Sequence, residues 1–375
     1  RVPPSRFPGD DGRSSRPIAS AGRRRRRALV VIAVVLVLAV VGGFGYWALT
    51  GSPDRSTTPA PPTAPTTPPA DGAVSMDGRA PLTGVPTDAD LNHPAVTIKV
   101  SNTPDAHPQR GLDSADIVFV EPITGATTRM AAIFHSKLPE EVGPVRSLRP
   151  TDAPLTGPTR GVVGNTMAAH WVLDYFDRVT DVDDLGTLRV PRGVYRLDPT
   201  RRAPNHVFAH PDRLLALSDR TAPPAPYFSY APTLDRSTAQ QDGQPARKVT
   251  VEYGGSATAA WTFDRRIDRW RRAEGGAPDR LENGRQISAD NVIVLHTRRD
   301  HSFARAGSAM LIPDLIDTSG TLELFTGNKV VEGRWRKAGV NEPFEFTTTD
   351  GEPLLLVPGR TWVEIPLEDM SVRIR

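Results

Sequence analysis

Asp116-Ile-Val-Phe-Val-Glu121 and Arg129-Met-Ala-Ala-Ile-Phe-His135 are the stretches on which the reading of the fold turns. Each is short, apolar inside and polar at both ends, the pattern of a β-strand. Upstream, Ala95-Val-Thr-Ile-Lys-Val100 alternates as a strand should. Downstream, residues 166–177 predict a helix, and a second is expected from Pro211-Asp212, because proline suits the first helical turn. Mixed strands and helices predict an α+β or mixed α/β domain over residues 79–220. Residues 221–245 turn rich in Pro, Ser, Gln and Asp and read as a connector. Beyond them come short β-like runs at 247–252, 261–264, 291–296, 321–325, 329–335, 354–357 and 361–366. Turn residues such as Gly327-Asn328 and Asp350-Gly351 separate them, which predicts a smaller β-rich domain over 246–375.

The N-terminal quarter reads differently. Ala28 to Leu49, ALVVIAVVLVLAVVGGFGYWAL, carries no charge. As a helix it would span ~33 Å, close to the ~30 Å hydrocarbon core of a bilayer. The five arginines Arg23 to Arg27 precede it, which places residues 1–27 in the cytoplasm as a basic tail and the rest outside. Tyr46 and Trp47 fall where aromatic rings favour the outer interface. The run is long for a signal-peptide core and no A-x-A site follows, so an uncleaved single-pass signal-anchor over 28–49 is expected rather than a cleaved signal. Residues 50–78 form a Pro/Thr-rich stalk, expected to be a disordered spacer; its 51–70 stretch, in polyproline II, would reach ~60 Å from the membrane. The expected location of the folded part is extracytoplasmic.

Composition removes several classes of chemistry. The 375 residues contain no cysteine, which excludes disulfides, thiolate zinc sites, iron–sulfur clusters, cysteine nucleophiles and a thiol-linked lipid anchor. The formal net charge of +3 owes much to the basic tip before the apolar run, so the remainder is near neutral and no nucleic-acid partner is expected. There is no G-x-S-x-G elbow, Walker A loop, strand-linked G-x-G-x-x-G or kinase motif set, and no cofactor is expected.

An ordered set of short phrases resembles one bacterial family. It comprises Pro81-Leu-Thr-Gly84, Pro108-Gln-Arg-Gly-Leu112, Ala115-Asp-Ile-Val118, Thr128-Arg129, Gly143-Pro-Val-Arg-Ser147 with Arg149, Arg202-Ala-Pro204, Asn291-Val-Ile-Val294, Gly333-Arg-Trp-Arg-Lys337 and Pro358-Gly-Arg-Thr-Trp362. Their order and spacing are similar to those of the DUF3048 family of exported, YerB-like lipoproteins. The resemblance covers roughly 79–375. It implies N- and C-terminal DUF3048 domains and an exported, surface-anchored protein, and it supplies no reaction. Two departures stand out. The chain lacks a lipidation cysteine, so the apolar helix is expected to replace the lipid. Gly164-Asn-Thr-Met-Ala-Ala-His170 stands where many relatives carry a His-Ala-Gly-Gly-Ser-like stretch.

The residues that carry candidate chemistry are polar groups at strand ends: Asp116, Glu121, Arg129, Arg146, Ser147 and Arg149. Arg146 and Arg149, in a loop flanked by Gly143, Pro144 and Pro150, can present two guanidinium forks to a carboxylate or phosphate. Arg129 opens an apolar strand and is expected to point into a cleft. The competing reading is a set of internal salt bridges, Arg129 with Glu121 or Arg146 with Asp116. Asn205 and His206 follow Pro204 in a turn and are a second candidate; His206 could serve as an acid or base. His206 and His210 lack a third ligand and a helical setting, so no metal is expected. Asp181, Asp183 and Asp184 lack a calcium-loop pattern and read as a solvated turn. Trp261, Trp270, Trp335 and Trp362 are expected in the core rather than on a sugar-stacking face. The sequence thus predicts a tethered module binding a cell-envelope glycan, another anionic ligand or a protein partner, with an enzyme acting on the cell wall or an envelope glycan as the alternative.

Overall fold

The three apolar runs of the first half form β1 (Val96–Ser101), β2 (Ile117–Ile123) and β3 (Thr127–Phe134), with β3 between the other two and antiparallel to both. This is a computed structural model, and it describes residues 72–303 and 310–375. The expected cytoplasmic tail, membrane span and most of the stalk lie outside those residues; among the described residues no helix is long and apolar enough to cross a membrane.

Every residue of β2 is buried. A continuous apolar run requires cover on both faces, and the period of two divides it between two cores. Val118 and Val120 join Met130 and Ala132 on one face, under Val249, Val251 and Trp261. Ile117 and Phe119 join Ala131 and Ile133 on the other, with Tyr227, Tyr230 and Leu295.

The elements that follow are α1 (Asp152–Thr156), β4 (Val162–Gly164), α2 (His170–Val179), β5 (Asp183–Asp184), α3 (Pro211–Leu215) and α4 (Thr238–Asp242). Then come β6 (Lys248–Gly254), β7 (Ala257–Asp264), β8 (Arg269–Glu274), β9 (Asn291–Leu295), β10 (Thr318–Thr326), β11 (Lys329–Lys337), β12 (Glu345–Thr348), β13 (Thr361–Glu364) and β14 (Ser371–Ile374). The main sheet runs β12-β11-β10-β9-β13-β2-β3-β1-β4-β5, with Gln244–Pro245 beside β11. Its join is β13, parallel to β9 on one side and to β2 on the other, so that Thr361 stands opposite both Asn291 and Ile117. Strands from either side of residues 221–245 therefore hydrogen-bond in one sheet. A second sheet, built on β8-β7-β6-β14, lays Val249, Val251, Trp261 and Trp270 onto the first. All four tryptophans read as core are at most 1% exposed.

The protein is mostly sheet. Among the described residues the sheets mix parallel and antiparallel pairs and helices are few and short, three of five residues and α2 of ten, so the expected mixed α/β character holds only in part. The expected helix over 166–177 begins only at His170, because Thr166 and Met167 are tied to the neighbouring loop: Thr166 N–H donates to Arg146 O, and Met167 O accepts from Leu148 N–H. The segment read as a connector packs as well, with Tyr227, Phe228 and Tyr230 buried and Ser229–Tyr230 paired with Leu355–Leu356. The expected solvated turn is half right: Asp181 is exposed, but Asp184 is buried in β5 and accepts from Asn165 Nδ2 at 2.6 Å.

Candidate functional site

The polar end of the first-half sheet is built by register. Arg129 is paired across the ladder with Glu121 on β2 and with Ser101 on β1. Opposed residues share a face, so these side chains lie on the face that carries Ile117, Phe119 and Ala131, at the end of that core. Lys99, opposite Ala131, is on this face too. It is fully buried, and its ammonium is paired with both Glu121 Oε1 and Asp152 Oδ1. Asp152 is the first residue of α1, and its other oxygen accepts from the Arg149 N–H at 2.6 Å. Burial pushes the Asp152 carboxyl up to about 6, against the pull of Lys99.

Loop 145–149 lies along β1 where β4 has ended: Val145 bridges Val100, and Arg146 N–H donates to Lys99 O at 2.8 Å. This brings Arg146 and Arg149 up to Arg129. The three guanidiniums reach only backbone carbonyls: Arg129 Nη1 to Ser147 O at 2.8 Å, Arg149 Nη1 to Leu148 O at 2.8 Å, and Arg146 Nη1 to Pro204 O at 3.5 Å. Among the described residues none of the three is ion-paired with a carboxylate within 4 Å. Burial and the charges of Arg149 and Arg146 hold the Arg129 guanidinium down at about 9. Burial and Arg149 likewise lower Arg146, with Asp105 opposing. Arg129 Nε and Arg146 Nε are buried without a hydrogen-bond partner.

Asn205 and His206 complete the rim. Asn205 Nδ2 reaches Thr103 Oγ1 at 3.5 Å, and Thr103 Oγ1 donates to Asp105 Oδ1 at 2.5 Å. Asn205 Oδ1 and His206 Nδ1 are buried and unpartnered, and the His206 ring is half-exposed. His206 and His210 do not share a helix face: Val207–Ala209 is a strand, and His210 caps α3. Among the described residues no cluster of His, Asp and Glu is arranged to hold a metal.

The structure therefore places Glu121, Arg129, Arg146, Ser147, Arg149, Asn205 and His206 in one neighbourhood and Asp116 elsewhere. Asp116 stands at the opposite end of β2. Its oxygens accept from His135 N–H at 2.6 Å, Ser136 N–H at 2.8 Å and the Ser136 hydroxyl, pinning the end of β3. Burial raises its carboxyl to about 6. Glu121 is fully buried beneath Arg129 and is a support for the arginines rather than a surface acid. Neither anticipated salt bridge forms, since Glu121 bonds Lys99 and Asp116 bonds the 135–136 turn. Sequence reasoning missed Lys99, Asp152 and Asp105. Lys99 left one signal, a lone cation inside an apolar strand.

Two clefts lie apart from this cluster. The larger, about 480 Å³, is lined by Arg110, Tyr195, Arg196, His210 and Arg213 among others. Arg110 and Arg196 there both bond Glu141, while Arg213 reaches the Gly193 carbonyl. The smaller, about 300 Å³, is bordered by Arg110, Leu281 and Glu282, where Arg110 bonds Glu282 at 2.6 Å.

The chain matches two protein-family models, "Protein of unknown function (DUF3048) N-terminal domain" over residues 82–223 and the corresponding "C-terminal domain" over 249–363. The chain belongs to the DUF3048 family. A similar curated relative is "Putative lipoprotein YerB" of Bacillus subtilis, 28% identical over 301 residues, which cover 76% of this chain and 86% of the relative. The crystal structure of YerB from Bacillus subtilis matches with a TM-score of 0.68 at 24% identity, over 78% of this chain and 99% of the YerB chain. That likeness bears on the fold. The DUF3048 phrases fall on the elements just described: Thr128-Arg129 opens the buried end of β3, and Gly143–Arg149 is the arginine loop.

Proposed function

We propose that the folded part is a binding module held at the outer face of the cell membrane, and that it captures an anionic ligand of the envelope on Arg129, Arg146 and Arg149. The observation that carries this is the convergence of three guanidiniums without a direct carboxylate partner. Lys99 is ion-paired with both Glu121 and Asp152, and these two carboxylates also act on Arg129 from a distance, but no carboxylate reaches any of the three arginines within 4 Å among the described residues. Three mutually repelling arginines are a cost to the fold, and an incoming carboxylate or phosphate removes it. Ser147 and His206 lie beside these arginines and can orient such a group. An enzymatic reading has less support. Its acid or base would be His206 or the pair Asp116 and Glu121, and of that pair Glu121 is fully buried on Lys99 and Asp116 is committed to a turn.

The location rests on the apolar run 28–49 read as a span and on the lipoprotein name of the similar relative. On this reading the span does the work of a lipid, with the N-terminus cytoplasmic and the proline-rich stalk as spacer. The test is titration of the full chain in detergent with inorganic phosphate and with acetate, alongside an Arg146→Gln/Arg149→Gln variant. Saturable binding lost in the variant is expected. No saturable binding of either anion, or equal binding by the variant, sinks the reading.

A further inference from the structure

A second cationic surface lies at one end of the smaller sheet, and no step above uses it. β7 and β8 are joined by the turn Arg265-Arg266-Ile267-Asp268, closed by the Asp264–Arg269 pair. The same end carries Arg247, Lys248 and Arg375. Phe263 N–H donates to Arg247 O at 3.0 Å, while Arg247 and Lys248 N–H donate to Arg375 O at 2.7 and 2.9 Å. The backbone thus gathers Arg247, Lys248, Arg265, Arg266 and Arg375, all exposed. Among the described residues none of the five has a carboxylate within 4 Å. Of the nearby acids, Asp264 is bonded to Arg271 at 2.6 Å and also feels the charge of Arg266, Asp290 is bonded to Arg269 at 2.9 Å, and Asp268 is a single exposed charge.

Two isoleucines break this polar surface. Ile267, at the tip of the turn, is 41% exposed, and Ile374, next to Arg375, is 40% exposed. Unpaired cations at the same end of the sheet as partly exposed aliphatic side chains, Ile267 in the turn and Ile374 opposite Val249, match a lipid surface, where the cations meet anionic headgroups and the side chains enter the interface. A soluble polyanion would use the cations and leave the isoleucines in water.

We infer that the 265–268 turn, with Arg247, Lys248, Ile374 and Arg375, is a docking surface for an anionic lipid bilayer. Each cation near such a surface strengthens attachment by about fivefold, so removing two weakens it on the order of 25-fold. The attraction is screened by salt, with a Debye length of ~10 Å at 0.1 M.

The absence of cysteine makes the test clean. The full chain with Thr262→Cys, carrying a donor dye on an exposed site of β7 three residues before Arg265, is placed in nanodiscs with a headgroup-linked acceptor. Energy transfer is expected to be high in phosphatidylglycerol-containing discs, low in phosphatidylcholine discs, and reversed by added salt. An Arg265→Gln/Arg266→Gln variant should cut the docked-to-undocked ratio on the order of 25-fold. A dye on Leu188→Cys, exposed in the first half, should show no such lipid dependence. Equal transfer in the two lipids, transfer unchanged in the variant, or binding of polyphosphate with no lipid-dependent transfer overturns the inference. The Arg146 and Arg149 substitutions leave this readout untouched, so the two sites fail or stand separately.

Discussion

Asp152 and Arg149 are joined by a 2.6 Å hydrogen bond from the Arg149 N–H to Asp152 Oδ2. The other oxygen of Asp152 is held by Lys99. One buried carboxylate thus links the core of the sheet to the backbone of the arginine loop. The loop's position is set from below, by groups that see no solvent, while its side chains are left without ionic partners above. The proposed division between support and binding follows from this bond, and it makes distinct predictions for the two layers.

Lys99→Met tests the support. The variant leaves Glu121 and Asp152 as adjacent buried carboxylates with no cation between them. Breaking a buried pair by removing one partner costs about 3–5 kcal/mol, because the remaining charge stays uncompensated. Chemical denaturation should therefore show a large loss of stability with the m-value unchanged. A loss below about 1 kcal/mol would mean that the carboxylates are not held by this lysine.

Arg146→Gln/Arg149→Gln tests the binding layer. Both side chains are half-exposed and reach only carbonyl oxygens, so little structure depends on their charge. Removing two like charges also relieves Arg129. Stability should stay within about 1 kcal/mol of the parent or rise, most visibly at low salt. A drop of more than about 2 kcal/mol would assign these arginines to the fold rather than to a ligand.

Asp116 offers a prediction in pH. Its folded pKa, about 6, lies above the ordinary value of 3.8, so between these values the folded protein holds a proton that the unfolded chain has released. Stability contributed by this group therefore falls as pH rises from about 4 to 6 and is level above that, a total of about 3 kcal/mol for a shift of two units. Asp116→Asn keeps one acceptor oxygen for the two backbone N–H donors and removes the titration. The stability of the parent relative to this variant should decline across that window. A flat difference in melting temperature from pH 4 to 7 would show that burial does not raise the carboxyl.

Much of this was legible in the residues, and the exceptions have physical causes. Strands β2 and β3 announce themselves as short apolar runs buried on both faces, and β1 by its alternation of apolar and polar residues. β8 does not, since Arg269-Trp-Arg-Arg-Ala-Glu274 reads as surface; its Arg272 points inward to Asp279 and Glu364, and pairing cannot be seen in one dimension. The join at β13 is likewise invisible, because Thr361–Glu364 finds β2 across more than half the folded chain. At the site, the arginines showed through their proline-flanked loop. Which acids pair with which cations depends on how side chains turn within a register: Glu121 stands opposite Arg129 in the ladder yet bonds Lys99 one strand further on, and Arg129 turns to the Ser147 carbonyl.

Met167 carries the last prediction. Its φ of 142° is positive, a conformation natural to glycine, and the residue lies beside the arginine loop, bonded through Leu148 N–H to its own carbonyl at 3.0 Å. Asn165 Oδ1 accepts from its N–H at 3.0 Å, so the strained backbone is held at both ends. Such a residue costs on the order of 1–3 kcal/mol. The side chain is 47% exposed and contributes little packing. Met167→Gly should release the strain at the smaller expense of a more flexible unfolded chain, about 0.4–1 kcal/mol, for a net gain of up to about 2 kcal/mol. The measurement is the denaturation midpoint of parent and variant, read together with phosphate binding. A more stable variant that binds less phosphate would show that the strain positions Arg146, whose carbonyl accepts from Thr166 N–H one residue away. A less stable variant would show that the methionine side chain, not its backbone, is what the loop requires.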